Sequence, residues 1–296
     1  MRARQWEVFC AIMREGSLTG AAQALNTSQP ALSQLLRHAE DELGFPLFKR
    51  VKGRLVPTPD AHEIYPEADR LFQGLAALRR RTHDLKAGRR GLVRMAASVP
   101  PAMSVVPQAL TLFRAQHPEI IVRSQIAPLD TLTSMLLHGD ANLALCMSGE
   151  RFAGLHSERL GQVGFVCLMP DIHPLASTEG PIGFMDIQDE ALIAYRQATL
   201  PGRLLAQKAQ RENTRYLPEI EIDMSISAFS FVQAGLGVAI VDALLPWKSF
   251  SGVKARPFAP DLVLPMSLLT HAERELSVAE GLMRDSLRQA CAQNIP

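Results

Sequence analysis

Thr27, Ser28, Gln29, Pro30, Ser33, Gln34 and Arg37 lie close together early in the chain. All but the proline carry side chains able to hydrogen-bond a base edge or a phosphate. A glutamine amide matches the donor and acceptor of adenine, whereas a guanidinium suits guanine or a phosphate. Lys49, Arg50, Lys52 and Arg54 follow as a run of cations fit for phosphate oxygens. This is the chemistry of holding a polyanion. A second set, Ser98, Thr131, Ser225 and Ser227, stands where strand patterns give way to helix patterns. Hydroxyls beside free helix-start N–H groups suit a carboxylate, and capping the helix is an equally good use of each. Tyr195, at another strand end, joins this set.

Bond-breaking chemistry finds no such grouping. The chain has no G-x-S-x-G, H-E-x-x-H, Walker loop or strand-linked G-x-G-x-x-G. Gly235 and Gly237 come after a helix pattern and before a strand, the reverse of a phosphate loop, and read as a helix stop with a tight return. His117-Pro118 and His173-Pro174 read as turns, and Asp189-Glu190 as surface. No catalytic residue, metal ligand or cofactor is expected.

Three helices must position the first set. Trp6, Phe9, Ile12 and Met13 form one apolar stripe that Gly16 ends. A second helix over 17–25 carries Ala21 and Ala22, small enough to let a neighbour approach. Ser28 is the natural N-cap of a third, Pro30 fits its first turn, and Gly44 ends it. Two helices joined by a tight Asn-Thr-Ser turn make a helix-turn-helix, whose second helix presents its start to the major groove. Gly53 can turn a two-stranded wing carrying the four cations.

The segment GSLTGAAQALNTSQPALSQLLRHAEDELGFPLFKRVKGRLVPT resembles the winged helix-turn-helix of LysR-type transcriptional regulators. The matching features are the AA pair, the SQPALS start, the E-x-x-L-G ending and the L-F-x-R approach to the wing. The branch controlling lysine and opine metabolism is the most similar, notably in GFPLFKRVKGRLVPT. Two positions depart from the family: Gln34 stands where Arg is frequent, and Thr58-Pro-Asp-Ala61 replaces T-x-x-G. The first bears on which base is read and the second only on the local hinge.

A helical pattern then runs from Thr58 to about Ala87, with Ile64, Ala68, Leu71, Leu75, Leu78, Thr82 and Leu85 in alternating steps of four and three. Pro66 should kink it. Packing onto the chain's own winged domain is one use of this stripe; pairing with a second chain is the use the resemblance favours. From Leu92 onward strands alternate with helices, which predicts a mostly parallel sheet covered by helices. Strands are expected over 92–97, 120–126, 141–147, 165–169, 191–195, 219–224, 238–243 and 263–269. Helices fall between them, and a last helix spans 276–292.

The expected fold is α/β overall: an all-α winged helix-turn-helix (1–58), a linker helix and hinge (59–90), and a two-lobed α/β effector domain (91–296). Lobe I covers about 91–162 and 266–296 and lobe II about 163–265. This domain resembles the LysR-type effector domain, itself similar in fold to periplasmic binding proteins. The resemblance implies an effector held by Ser98, Pro128, Leu129, Met147 and Ser225. It also implies an imperfect palindrome of double-stranded DNA, a dimer through the linker helix, a tetramer, and RNA polymerase as a further partner. An amino acid or its conjugate is the expected effector.

Composition sets the outer limits. The 296 residues include 31 Lys and Arg against 30 Asp and Glu, so the chain is near neutral. Residues 1–90 nevertheless hold 15 cations against 10 anions, leaving an acidic remainder. Charge alone leaves a solvated face and a polyanion site equally open. No apolar run is long enough to span a bilayer, and MRARQWEVFC has no signal-peptide pattern, so a cytoplasmic protein is expected. Cys10, Cys146, Cys167 and Cys291 lie far apart without a metal or disulfide spacing. A thiol-based redox regulator, and a non-DNA-binding α/β ligand-binding protein or enzyme, are the alternatives.

Overall fold

The computed structural model describes residues 1–51, 54–86 and 91–294, without the side chains at 73, 76, 77, 79–81, 83–86, 260 and 294. The chain divides into two compact units, Met1–Lys86 and Ala87–Pro296.

In the first unit, α1 (Ala3–Glu15), α2 (Leu18–Ala24) and α3 (Gln29–Leu43) follow the expected stripes. Gly16 and Gly44 take left-handed φ of 65° and 79°, the backbone turn that ends a helix and that glycine adopts without strain. Ser17 accepts a hydrogen bond from Gly20 N–H and Ser28 from Ala31 N–H, capping α2 and α3. Asn26 absorbs the turn between them with φ 48°. Ala21 and Ala22 are buried among Val8, Phe9, Ile12, Leu32 and Leu36. β1 (Phe48–Val51) and β2 (Arg54–Pro57) pair antiparallel as a wing; Lys52 and Gly53, placed at its tip by the sequence, lie outside the described residues.

α4 (Pro59–Lys86) runs on without interruption through Pro66. Thr58 caps it, its hydroxyl accepting from Ala61 N–H and donating toward the carbonyls of Pro46 and Leu47. Ala61, which replaces the glycine common in the family, is fully buried and its methyl packs in the core.

The second unit has one eight-stranded sheet among the described residues, ordered β4-β3-β5-β10-β6-β9-β7-β8. β3 (Leu92–Ala97), β4 (Ile121–Ile126) and β5 (Leu143–Cys146) form a parallel set. β7 (Leu192–Tyr195), β8 (Ile220–Ile222) and β9 (Val238–Asp242) repeat the same order. Between the sets run two long antiparallel strands, β6 (Leu155–Pro170) and β10 (Val253–His271). The sheet is therefore mixed: a mostly parallel sheet overlooks these two, which sequence periodicity caught only in part, at 165–169 and 263–269.

Their register slips between Phe258 and Val263, opposite Phe165 and Gly164. That slip is where one core gives way to another. Val163, Met266 and Leu268 pack with α6 (Val105–Gln116) and α10 (Val278–Asn294) in lobe I. Phe165, Phe258 and Leu264 pack with α8 (Leu200–Arg211) and α9 (Ile226–Gln233) in lobe II. α5 (Val99–Met103) and α7 (Leu129–His138) complete lobe I.

Candidate DNA-binding surface and effector cleft

α3 divides its residues sharply. Leu32, Leu36 and Ala39 are buried, while Gln29, Pro30, Ala31, Gln34, Arg37 and His38 are exposed on the other side. Gln34 stands one helical turn beyond Pro30 and Ala31, so these three share one face. Ser33 and Thr27 are half-buried at its margin, and Ser28 is exposed at the cap. On the wing, Lys49, Arg50 and Arg54 are exposed. Glu40, which sequence reasoning passed over, ties helix to wing: its Oε1 accepts from Leu47 N–H at 2.8 Å and Phe48 N–H at 3.0 Å. The only signal was its place in the E-x-x-L-G ending.

The helix α4 serves two purposes along its length. Ala61, Ile64, Tyr65, Ala68 and Phe72 pack against the winged domain's own core, with Tyr65 edge-on to Phe9. Ala68, 6% exposed, is thus corrected from the pairing stripe, and Ile64 largely faces inward too. Leu71, Leu75 and Leu78 are instead 74%, 41% and 57% exposed. The side chain of Leu85 lies outside the described residues.

In the second unit the parallel strands of both lobes end toward each other. Met147, just past β5, packs against both cores, and Leu244, just past β9, packs against lobe I's. Across the same gap Glu150 of lobe I meets Arg203 of lobe II, Oε1 to Nη2 at 3.4 Å. Open α/β sheets bind ligands at such strand ends. Ser98 sits at the end of β3 and the start of α5, its Oγ buried and without a hydrogen-bond partner. Pro128 and Leu129 open α7, and the Thr131 hydroxyl turns back to Asp130. Ser227 Oγ donates to the Met224 carbonyl at 2.7 Å, an early turn of α9.

Tyr195 is corrected. Every residue of β7 is buried, because helices cover both faces of a parallel sheet. Its hydroxyl donates to Asp242 Oδ2 at 2.9 Å, deep in lobe II. Burial raises the Asp242 carboxyl above its usual range and holds the Tyr195 phenol well above its own. Ser225 Oγ is buried beside this pair without closing a hydrogen bond in good geometry. Arg196, one residue on from Tyr195, is exposed and pairs with Asp223, Nε to Oδ1 at 2.5 Å.

All four cysteines are buried. Burial pushes the thiols of Cys146 and Cys167 up to about 12 and those of Cys10 and Cys291 up to about 11. At pH 7.5 roughly one thiol in a thousand or fewer is then the reactive thiolate. Ellman's reagent should leave the folded chain unmodified over an hour and react fully once it is unfolded. Rapid modification of a native thiol would contradict this placement. Because these thiols keep their protons longer folded than unfolded, stability should fall as pH rises from about 9 toward 11.

Residues 3–62 match the family described as bacterial regulatory helix-turn-helix protein, lysR family, and residues 86–292 match the LysR substrate binding domain. The chain is 29% identical to the regulator DgcR of Pseudoalteromonas over 93% of its own length and 94% of that protein's. It is 30% identical to the transcriptional activator protein LysR of Escherichia coli, covering 93% and 88%. It is 27% identical to the octopine catabolism/uptake operon regulatory protein OccR of Rhizobium meliloti, covering 88% and 86%. Full-length CbnR, solved with its target DNA, shares the fold with a TM-score of 0.72 at 17% identity, over 98% of this chain and 100% of that one. No described helix is long and apolar enough to cross a membrane.

Proposed function

The chain belongs to the LysR family of bacterial transcriptional regulators, and from that premise we propose that α3 and the wing read its operator while a small carboxylate between the lobes controls it. The observation that carries the DNA half is the division of α3. Its apolar side packs into the domain's core, and Gln29, Pro30, Gln34 and Arg37 are exposed on the opposite side. In this assignment Thr27, Ser28 and Ser33 flank the contact, and Lys49, Arg50, Lys52 and Arg54 bind phosphate.

Residues 1–58 form the DNA-binding domain and 59–90 the linker. Two chains pair through Leu71, Leu75, Leu78 and Leu85, bringing two recognition helices to half-sites of an imperfect palindrome. Effector domains associate further into a tetramer, which works in the cytoplasm, contacts RNA polymerase and catalyses no reaction. The effector is an amino acid or amino-acid conjugate, held by Ser98, Pro128, Leu129, Thr131, Met147, Ser225 and Ser227. The buried, unpartnered Ser98 Oγ supports this, since such a group costs stability until a ligand oxygen satisfies it. Octopine, named for the relative OccR, belongs to that class. Ligand acts by favouring one arrangement of the lobes over another.

Base readout and phosphate contact separate cleanly in binding measurements on selected duplexes. Gln29→Ala should cost about 1–3 kcal/mol on the preferred sequence and relax preference at one position. Arg54→Ala should weaken every duplex alike and lower the salt slope by about one. Unchanged affinity in both variants would sink the docking assignment.

A further inference from the structure

The lobes meet through an ion pair built from both sides. Glu150 projects from a fixed turn: Ser148 Oγ accepts from Glu150 N–H at 3.1 Å, and Ser267 Oγ pins the Ser148 carbonyl at 2.7 Å. Gly149 lies so close to Pro265 that an added Cβ would stand 2.9 Å from the ring. On the facing lobe, Arg203 Nη1 donates to the Ala198 carbonyl at 2.7 Å, which aims Nη2 across the cleft. Gly202 beside it allows no side chain, because a Cβ would fall 2.0 Å from the Arg196 carbonyl oxygen. The first turn of α8, capped by Thr199, whose hydroxyl accepts from Gly202 N–H, therefore abuts the strand-end loop, and Arg203 stands at that turn.

The neighbouring cation is committed elsewhere, since Arg196 pairs with Asp223 within lobe II. Arg203 takes its carboxylate from the other lobe. Both partners are about half exposed, at 47% and 51%, and exposed pairs of this kind bind weakly. Weakness is what an exchangeable occupant requires.

We infer that Arg203 is the receptor for the effector's carboxylate and that Glu150, reaching across the cleft, occupies it while the chain is free of ligand. The inference rests on the carboxylate reading above. An arriving carboxylate displaces Glu150, takes a bidentate place on the guanidinium, and frees lobe I from the contact. Competition from Glu150 sets the threshold concentration.

The test uses the full-length chain as wild type, Glu150→Gln and Arg203→Gln, titrated calorimetrically with octopine, L-glutamate and benzoate. A carboxylate that binds wild type should bind Arg203→Gln about ten-fold or more weakly, the loss of a charged hydrogen bond. It should bind Glu150→Gln about three-fold more tightly, with that gain shrinking at high salt. Equal binding by wild type and Arg203→Gln would overturn the inference and leave the carboxylate cleft standing. Silence of all three compounds on wild type would count against the carboxylate reading itself. Hydrogen exchange without ligand then decides the cross-lobe pair. Both variants should speed exchange at residues 147–150 and 200–204, and unchanged exchange in both would overturn it.

Discussion

Gly237→Ala should unfold the effector unit well below the wild-type temperature, at a cost of about 3–5 kcal/mol or roughly 10 °C. Gly237 takes φ 135°, which an L side chain rarely adopts, and a Cβ there would fall 2.0 Å from the Ala191 carbonyl oxygen. That oxygen cannot retreat, because it accepts from Val238 N–H at the start of the β7–β9 pairing. Gly235, two residues earlier, provides the comparison. Its φ is 75° with nothing within 4 Å of an added Cβ, so Gly235→Ala should cost only about 1–2 kcal/mol. Calorimetry of both variants checks this. Equal, small losses would mean that the helix-to-strand return is not the tight one described.

Phe9→Ala should act on the other unit. Phe9 is fully buried and packs against Trp6, Phe48 and Tyr65, joining α1, the wing and α4 through one ring. Emptying that site costs about 3–5 kcal/mol. A domain of this size has only about 5–10 kcal/mol in total, so much of the winged domain's stability goes with it. DNA binding should collapse, while the effector unit keeps its own unfolding transition, because its cores are built from residues beyond 90. Retained DNA affinity in Phe9→Ala would show that the wing and recognition helix do not depend on this core.

The winged domain was legible because its signals are local. An apolar stripe, a serine cap and a terminal glycine each act within a few residues, and α1, α2 and α3 form where these coincide. The alternating β and α segments were legible for the same reason. The two long strands were not: Pro257 and Pro265 interrupt β10, and charged residues break the alternation in the first half of β6. Only the partner strand, distant in sequence, makes those residues extended.

Site residues failed where orientation mattered. Tyr195 and Arg196 are adjacent at one strand end, yet one is buried against Asp242 and the other faces solvent. Ala68 follows the heptad spacing, but its neighbours turn it onto the winged domain's core. Periodicity finds a face without saying what covers it. Glu150 and Arg203 left no trace in sequence at all, because their pairing exists only once two lobes have formed and met.

Selection of duplexes from a random library by the full-length chain is the most direct test of a paired reader of DNA. The enriched sequences should form an imperfect inverted repeat, with half-sites about one helical turn, or a multiple of it, apart. Enrichment of a single unrepeated site, or retention of all duplexes with no sequence preference, would contradict the pairing of two recognition helices on one operator.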